Sequence, residues 1–130
     1  MNTKRISSNR ISRLAPNEIF VFGSNLQGLH GGGAARTAHQ YFGAVWGQGV
    51  GLHGQTYAIP TMQGGVETIK PYVDNFLLFA KTRTDLKFLV TEIGCGIAGF
   101  TAAEIAPLFH KAIEEDLENV YLPESFYEVY

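Results

Sequence analysis

Two glycine-rich segments, far apart in this 130-residue chain, each follow an apolar run and precede a stretch of helical character. The first is Gly23-Ser24-Asn25-Leu26-Gln27-Gly28-Leu29-His30-Gly31-Gly32-Gly33, after Ile19-Phe20-Val21-Phe22. The second is Gly94-Cys95-Gly96-Ile97-Ala98-Gly99, after Phe88-Leu89-Val90-Thr91. A run that is apolar without alternation belongs to a strand covered on both faces. Glycine at the junction that follows leaves backbone N–H groups open to an anion, because no Cβ stands in the way. A helix start just beyond adds unpaired donors and a positive dipole end. Two such loops at the ends of neighbouring strands would form a cradle for a phosphate-bearing ligand.

The rest of the chain extends the same alternation. Pro16-Asn17 reads as a turn before the first strand. Ala34 to Phe42 reads as a helix stopped by Gly43. Tyr57-Ala58-Ile59 is a short strand closed by Pro60, after an irregular stretch punctuated by Gly47, Gly49, Gly51 and Gly54. Apolar residues then recur at helical spacing from about Val66 to Arg83, at Ile69, Val73, Phe76, Leu77 and Ala80. Pro71 within that span fits only a first turn. Lys87 to Thr91 is a third strand. Thr101-Ala102-Ala103-Glu104 has the capping-box pattern of a helix start. Pro107 comes too late for the first turn of that helix, so the pattern predicts a short turn and a restart at Pro107. Val120-Tyr121-Leu122 is a last strand, closed by Pro123. This order predicts a three-layer α/β/α fold with a mostly parallel central sheet. Ligands in such sheets sit beyond the carboxyl ends of strands, where both glycine loops fall. Residues 1–15 are expected to be an arm or edge element, and residues 16–130 a single domain.

Composition narrows the class. Of the 15 glycines, twelve lie between Gly23 and Gly65 and three in the second loop, which speaks for specific backbone shapes rather than general flexibility. The net charge of −2 argues against a broad nucleic-acid-binding face. Lys4, Arg5, Arg10 and Arg13 form a basic start, and seven acids against one lysine follow from Glu104 onward. These read as a frayed terminus and a solvated helix. A single cysteine, Cys95, excludes a disulfide within the chain, and four scattered histidines show no metal-ligand spacing. No metal and no cofactor are expected. No run reaches membrane-spanning length, so a cytoplasmic protein without a membrane partner is expected.

The two loops resemble those of macro domains, the ADP-ribose-binding family. Asn25 through Gly31-Gly32-Gly33-Ala34 and His39 to Gly43 is similar, without a gap, to the family's first motif: an Asn, a short spacer, a glycine run, a helix with a His and a closing Gly. Gly94-Cys95-Gly96-Ile97-Ala98-Gly99-Phe100 is similar to its second motif. The resemblance covers roughly residues 19 to 122 and implies a compact, divergent branch. Phe22 stands where the family's first Asn stands. Ala35 stands where hydrolytic members carry an Asp. No residue between Asn9 and Ala15 matches the Asp that reads the adenine amino group. The resemblance therefore implies diphosphate and ribose binding more directly than adenine selectivity or hydrolysis.

The candidate ligand-binding residues are Asn25, His30, Gly31, Gly32, Gly33, Gly94, Cys95, Gly96, Ile97, Ala98, Gly99 and Phe100. Asn25 has two readings: an amide bonded to a ribose hydroxyl, or one that holds its own loop. His30 is either a phosphate ligand or acid–base group, or an exposed loop side chain. His39 is expected to pack or cap. Cys95, between two glycines, is either a nucleophile with His30 as its base or a small side chain tucked under the loop. Asn25, His30 and Cys95 are thus the weak catalytic candidates. Trp46, Tyr57 and Phe100 could stack on a base, and the Gly47–Gly54 segment could cover the cleft. Glu92 is expected to face away from a bound diphosphate, paired with Arg36 or Lys87.

The leading expectation is a module that binds ADP-ribose or a related diphosphate-containing nucleotide, its partner being that small molecule or an ADP-ribosylated macromolecule. The alternatives are an ADP-ribosyl hydrolase using loop polar groups and bound water, and an interaction protein that keeps the fold without the ligand.

Overall fold

The computed structural model describes residues 5–130. Lys4 of the basic start, with residues 1–3, lies outside the described residues. The elements in chain order are β1 (Ile6–Ser7), β2 (Glu18–Ser24), α1 (Gly33–Thr37), β3 (Gly51–His53), β4 (Thr56–Pro60), α2 (Val66–Thr82), β5 (Lys87–Val90), α3 (Ala102–Glu114), β6 (Val120–Pro123) and α4 (Glu124–Glu128). α1 runs on into a π-helical stretch, Ala38–Phe42, ended by Gly43 in the left-handed region at φ 94°. The strands form a six-stranded sheet in the order β1-β6-β5-β2-β4-β3. All neighbours are parallel except β3, which runs antiparallel to β4. The chain is an α/β protein with a mostly parallel sheet.

β2 shows why its sequence is apolar without alternation. It lies between β5 and β4, with Val21 opposite both Val90 and Tyr57. Ile19 and Val21 belong to a large cluster with Ile69, Val73 and Phe76 of α2, Ile105 and Phe109 of α3 and Phe126 of α4. Phe20 and Phe22, which point the other way along the strand, join a smaller cluster with Ala38, Phe42 and Ala44. Ile11 and Leu14, in the segment read as an arm, pack on this second cluster. Ile6 and Ser7 pair with Leu122 and Pro123 at the sheet edge.

Both interior prolines depart from expectation. Pro71 is the sixth residue of α2, not part of its first turn. Pro107 is the sixth residue of a continuous α3, with no break or restart. An interior proline costs about 3 kcal/mol through its lost N–H bond and its clash with the preceding turn. α2 buries Ile69, Val73, Phe76, Leu77 and Ala80, and α3 buries Ile105, Ala106, Phe109 and Ala112. Each large apolar side chain so buried contributes about 1.5–3 kcal/mol, so tertiary packing outweighs the local penalty.

Gly51–His53, within the stretch read as irregular, is a short edge strand. Glu124–Glu128, to which the sequence reading assigned no element, is a short helix that buries Phe126 against Phe109. The topology places the candidate site. β2 and β5 are adjacent and parallel. The helix after β2 contributes Ala38 and Phe42 to the second cluster, whereas the helix after β5 packs on the first. The two loops therefore leave the sheet toward opposite faces and open a crevice between the strand ends.

Candidate functional site

The crevice is a cleft of about 290 Å³, lined by both glycine segments. Gly32, Gly33, Ala34 and Ala35 form one wall, and Gly94, Gly96, Ile97 and Ala98 form the other. The walls come close. A Cβ on Gly32 would lie 3.3 Å from Ile97 Cδ1, and one on Gly23 would lie 3.4 Å from Gly94 N. Among the described residues, the N–H groups of Gly32, Gly33, Gly96, Ile97 and Ala98 make no hydrogen bond. Glu92 is the one ionisable side chain among the described residues lining this cleft. With no lysine or arginine among the described residues lining the cleft, its unbonded main-chain amides are the donors most available to an anion.

The first loop owes its shape to contacts beneath it. Gly28 has φ 70°, and a Cβ there would overlap the backbone of Gly47 and Gln48. A Cβ on Gly49 would overlap the carbonyl of Asn25. Gly47 N–H donates to Gly28 O at 2.9 Å, and Ser24 Oγ donates to Gly49 O at 2.5 Å. The Gly47–Gly49 part of the supposed cover is thus a buttress under the first loop.

The candidate residues separate on inspection. Asn25 lines the cleft, but its amide is engaged locally: Nδ2 donates to Leu29 O at 3.1 Å and Oδ1 accepts from Leu29 N at 2.9 Å. This is the loop-holding alternative. His30 corrects both of its readings, being only 1% exposed and turned out of the cleft. Its Nε2 bonds Val45 O at 3.0 Å, and its ring meets Phe22, His39 and Trp46. Nδ1 of His30 is buried without a partner among the described residues. The loop folds this way because His30 fills the space behind the glycine run, next to the second cluster. His39 bonds Ala44 O through Nδ1 at 3.0 Å, the expected capping role.

Cys95 is half-buried and its thiol donates to Ile93 O at 3.6 Å. Burial pushes its pKa up, and the charges of Glu92 and Glu104 push it further the same way. That is the reverse of an activated thiolate, and His30 is not placed to act as its base. Gly31, His30, Cys95, Gly99 and Phe100 do not line the cleft. Trp46 packs beside His30 and His39, and Tyr57 lies in the core against Phe76 and Phe79, so neither is a stacking surface of the cleft. Ala35, where the resemblance puts an acid in hydrolytic members, does line it.

Two further expectations change. The start of α3 is not open to an anion: Glu104 N–H donates to Thr101 Oγ1 at 3.3 Å, and Thr101 N–H donates to Glu104 Oε1 at 3.0 Å. The capping box consumes those donors and sets a carboxylate at the positive end of the helix. Glu92 lines the cleft, and its carboxylate accepts a hydrogen bond from Ser125 Oγ of α4 instead of pairing with Arg36 or Lys87; Lys87 pairs with Glu18 at 3.6 Å. Residues missed by sequence reading are Thr61 and Met62, which follow β4 and close the same end of the cleft. Their only signal was their position after a strand in a parallel sheet. No group of three or more potential metal ligands occurs among the described residues, and no helix there is long and apolar enough to cross a membrane. No protein-family model matches the chain, and no curated protein or solved structure matches it either.

Proposed function

We propose that this protein binds ADP-ribose, or a related metabolite built on a nucleoside diphosphate, in the cleft between its two glycine loops. One observation carries the reading: unbonded amides from two segments some sixty residues apart line opposite walls of one crevice at the carboxyl ends of adjacent parallel strands. Amides placed in this way suit an anion with several acceptor oxygens. Binding is favoured over turnover because Ala35 supplies no group to activate water and burial keeps the Cys95 thiol protonated.

Gly32→Glu tests this. Gly32 has extended backbone, φ −154°, and the nearest atom to an added Cβ is the flexible end of Ile97. The variant should fold while placing a bulky carboxylate in the cradle. Titration calorimetry with ADP-ribose should give micromolar affinity for the parent and a loss of at least about tenfold in the variant. Equal affinity in a folded variant would place the ligand elsewhere.

A further inference from the structure

A second cavity, of about 340 Å³, shares Ala34, Thr91 and Glu92 with the glycine cleft. Its walls combine apolar surface from Ile11, Phe20 and Pro123 with polar groups from Asn9 and Thr37. Glu92 is the one acidic side chain among the described residues lining either cavity, and it stands at their boundary. Its carboxylate is held from outside: Ser125 Oγ on α4 donates to Oε2 at 2.8 Å. Oε1 makes no hydrogen bond among the described residues. A carboxylate with one oxygen bonded and the other unbonded, on a residue that lines both cavities, retains the capacity to accept a hydrogen bond.

We propose that Glu92 determines specificity here, by accepting a hydrogen bond from a ribose hydroxyl of the bound nucleotide and rejecting a nucleotide phosphorylated on that ribose. The inference rests on the diphosphate-binding reading. The groups attached to the diphosphate of ADP-ribose are sugars. A ligand anchored by its diphosphate on the glycine amides and reaching into the second cavity carries a ribose past Glu92. Ribose hydroxyls donate and an ionised carboxylate only accepts, so the two match. A phosphate at the same place brings like charge against a carboxylate that Ser125 holds by one hydrogen bond, a repulsive device for selecting between ligands. Arg10 is the opposing influence. It lines the second cavity and not the cleft, and a phosphate that reached it would gain a cation. The sign of the discrimination therefore reports which charge meets the ribose.

The test is calorimetric titration of the parent and of Glu92→Gln with ADP-ribose and with ADP-ribose 2′-phosphate. The parent should bind the unphosphorylated ligand at least about tenfold more tightly, and Glu92→Gln should narrow the gap to about threefold or less. A parent that binds both equally, a parent that prefers the phosphate, or a gap unchanged in Glu92→Gln would each overturn the assignment while leaving diphosphate binding intact. Failure of the parent to bind either ligand would overturn the binding reading and this inference with it.

Discussion

At the scale of single residues, the glycines divide between two jobs. Gly28 and Gly49 serve the fold, since a side chain at either would overlap backbone of the opposing segment. Gly31 has open space around its missing Cβ and no left-handed φ. Gly28→Ala should therefore destabilise the protein by about 1–3 kcal/mol, through both its φ of 70° and the overlap. Gly31→Ala should fall within about 1 kcal/mol of the parent, on the stabilising side, because it restricts the unfolded chain alone. Urea unfolding of the two variants measures the contrast, and equal losses would contradict it. Side-chain direction was the least legible property of the sequence at this scale. A histidine beside three glycines reads as loop surface. His30 instead turns inward because Phe22, His39 and Trp46 form a space for its ring, and those residues converge only in three dimensions.

Among the elements, the strands were the most legible. Ile19 to Phe22 and Phe88 to Val90 are buried on both faces, and their composition shows it directly. The helices containing Pro71 and Pro107 were less so, because a local rule favoured a break and the long-range burial that overrides it is not visible locally. The penalty should still be present in α3. Pro107 is exposed, so its replacement removes no buried contact. Pro107→Ala restores an N–H for the carbonyl one turn earlier and should stabilise the protein by about 1–3 kcal/mol in urea unfolding. A loss of stability would mean that α3 needs the bend of its proline to lie on α2 and α4. Short elements escaped notice for a different reason. β3 has three residues and α4 has five, too few for a period to emerge.

For the whole molecule, strand order decides where a ligand could sit. The chain passes from β2 to β4 on one side and then crosses back to β5 on the other, so the two glycine loops meet at the point where the sheet changes direction. The alternation of strands and helices indicated a parallel sheet, and the loops indicated the strand ends where the cleft lies. The capping box at Thr101 and Glu104 was legible as a motif; what could not be read was the wall composition, with Glu92 lining two cavities and no lysine or arginine among the described residues lining the cleft. These depend on how β5, α3 and α4 pack, not on any motif. On the proposed reading the cleft binds through its amides, and amides can be observed directly. Titrating isotope-labelled protein with ADP-ribose and following each backbone N–H by NMR is the most direct measurement. Saturable shifts centred on Gly32, Gly33, Gly96, Ile97 and Ala98 are predicted, moving together with one affinity. Shifts confined to one loop, or an unchanged spectrum at these five positions in the presence of saturating ligand, would contradict a shared diphosphate cradle.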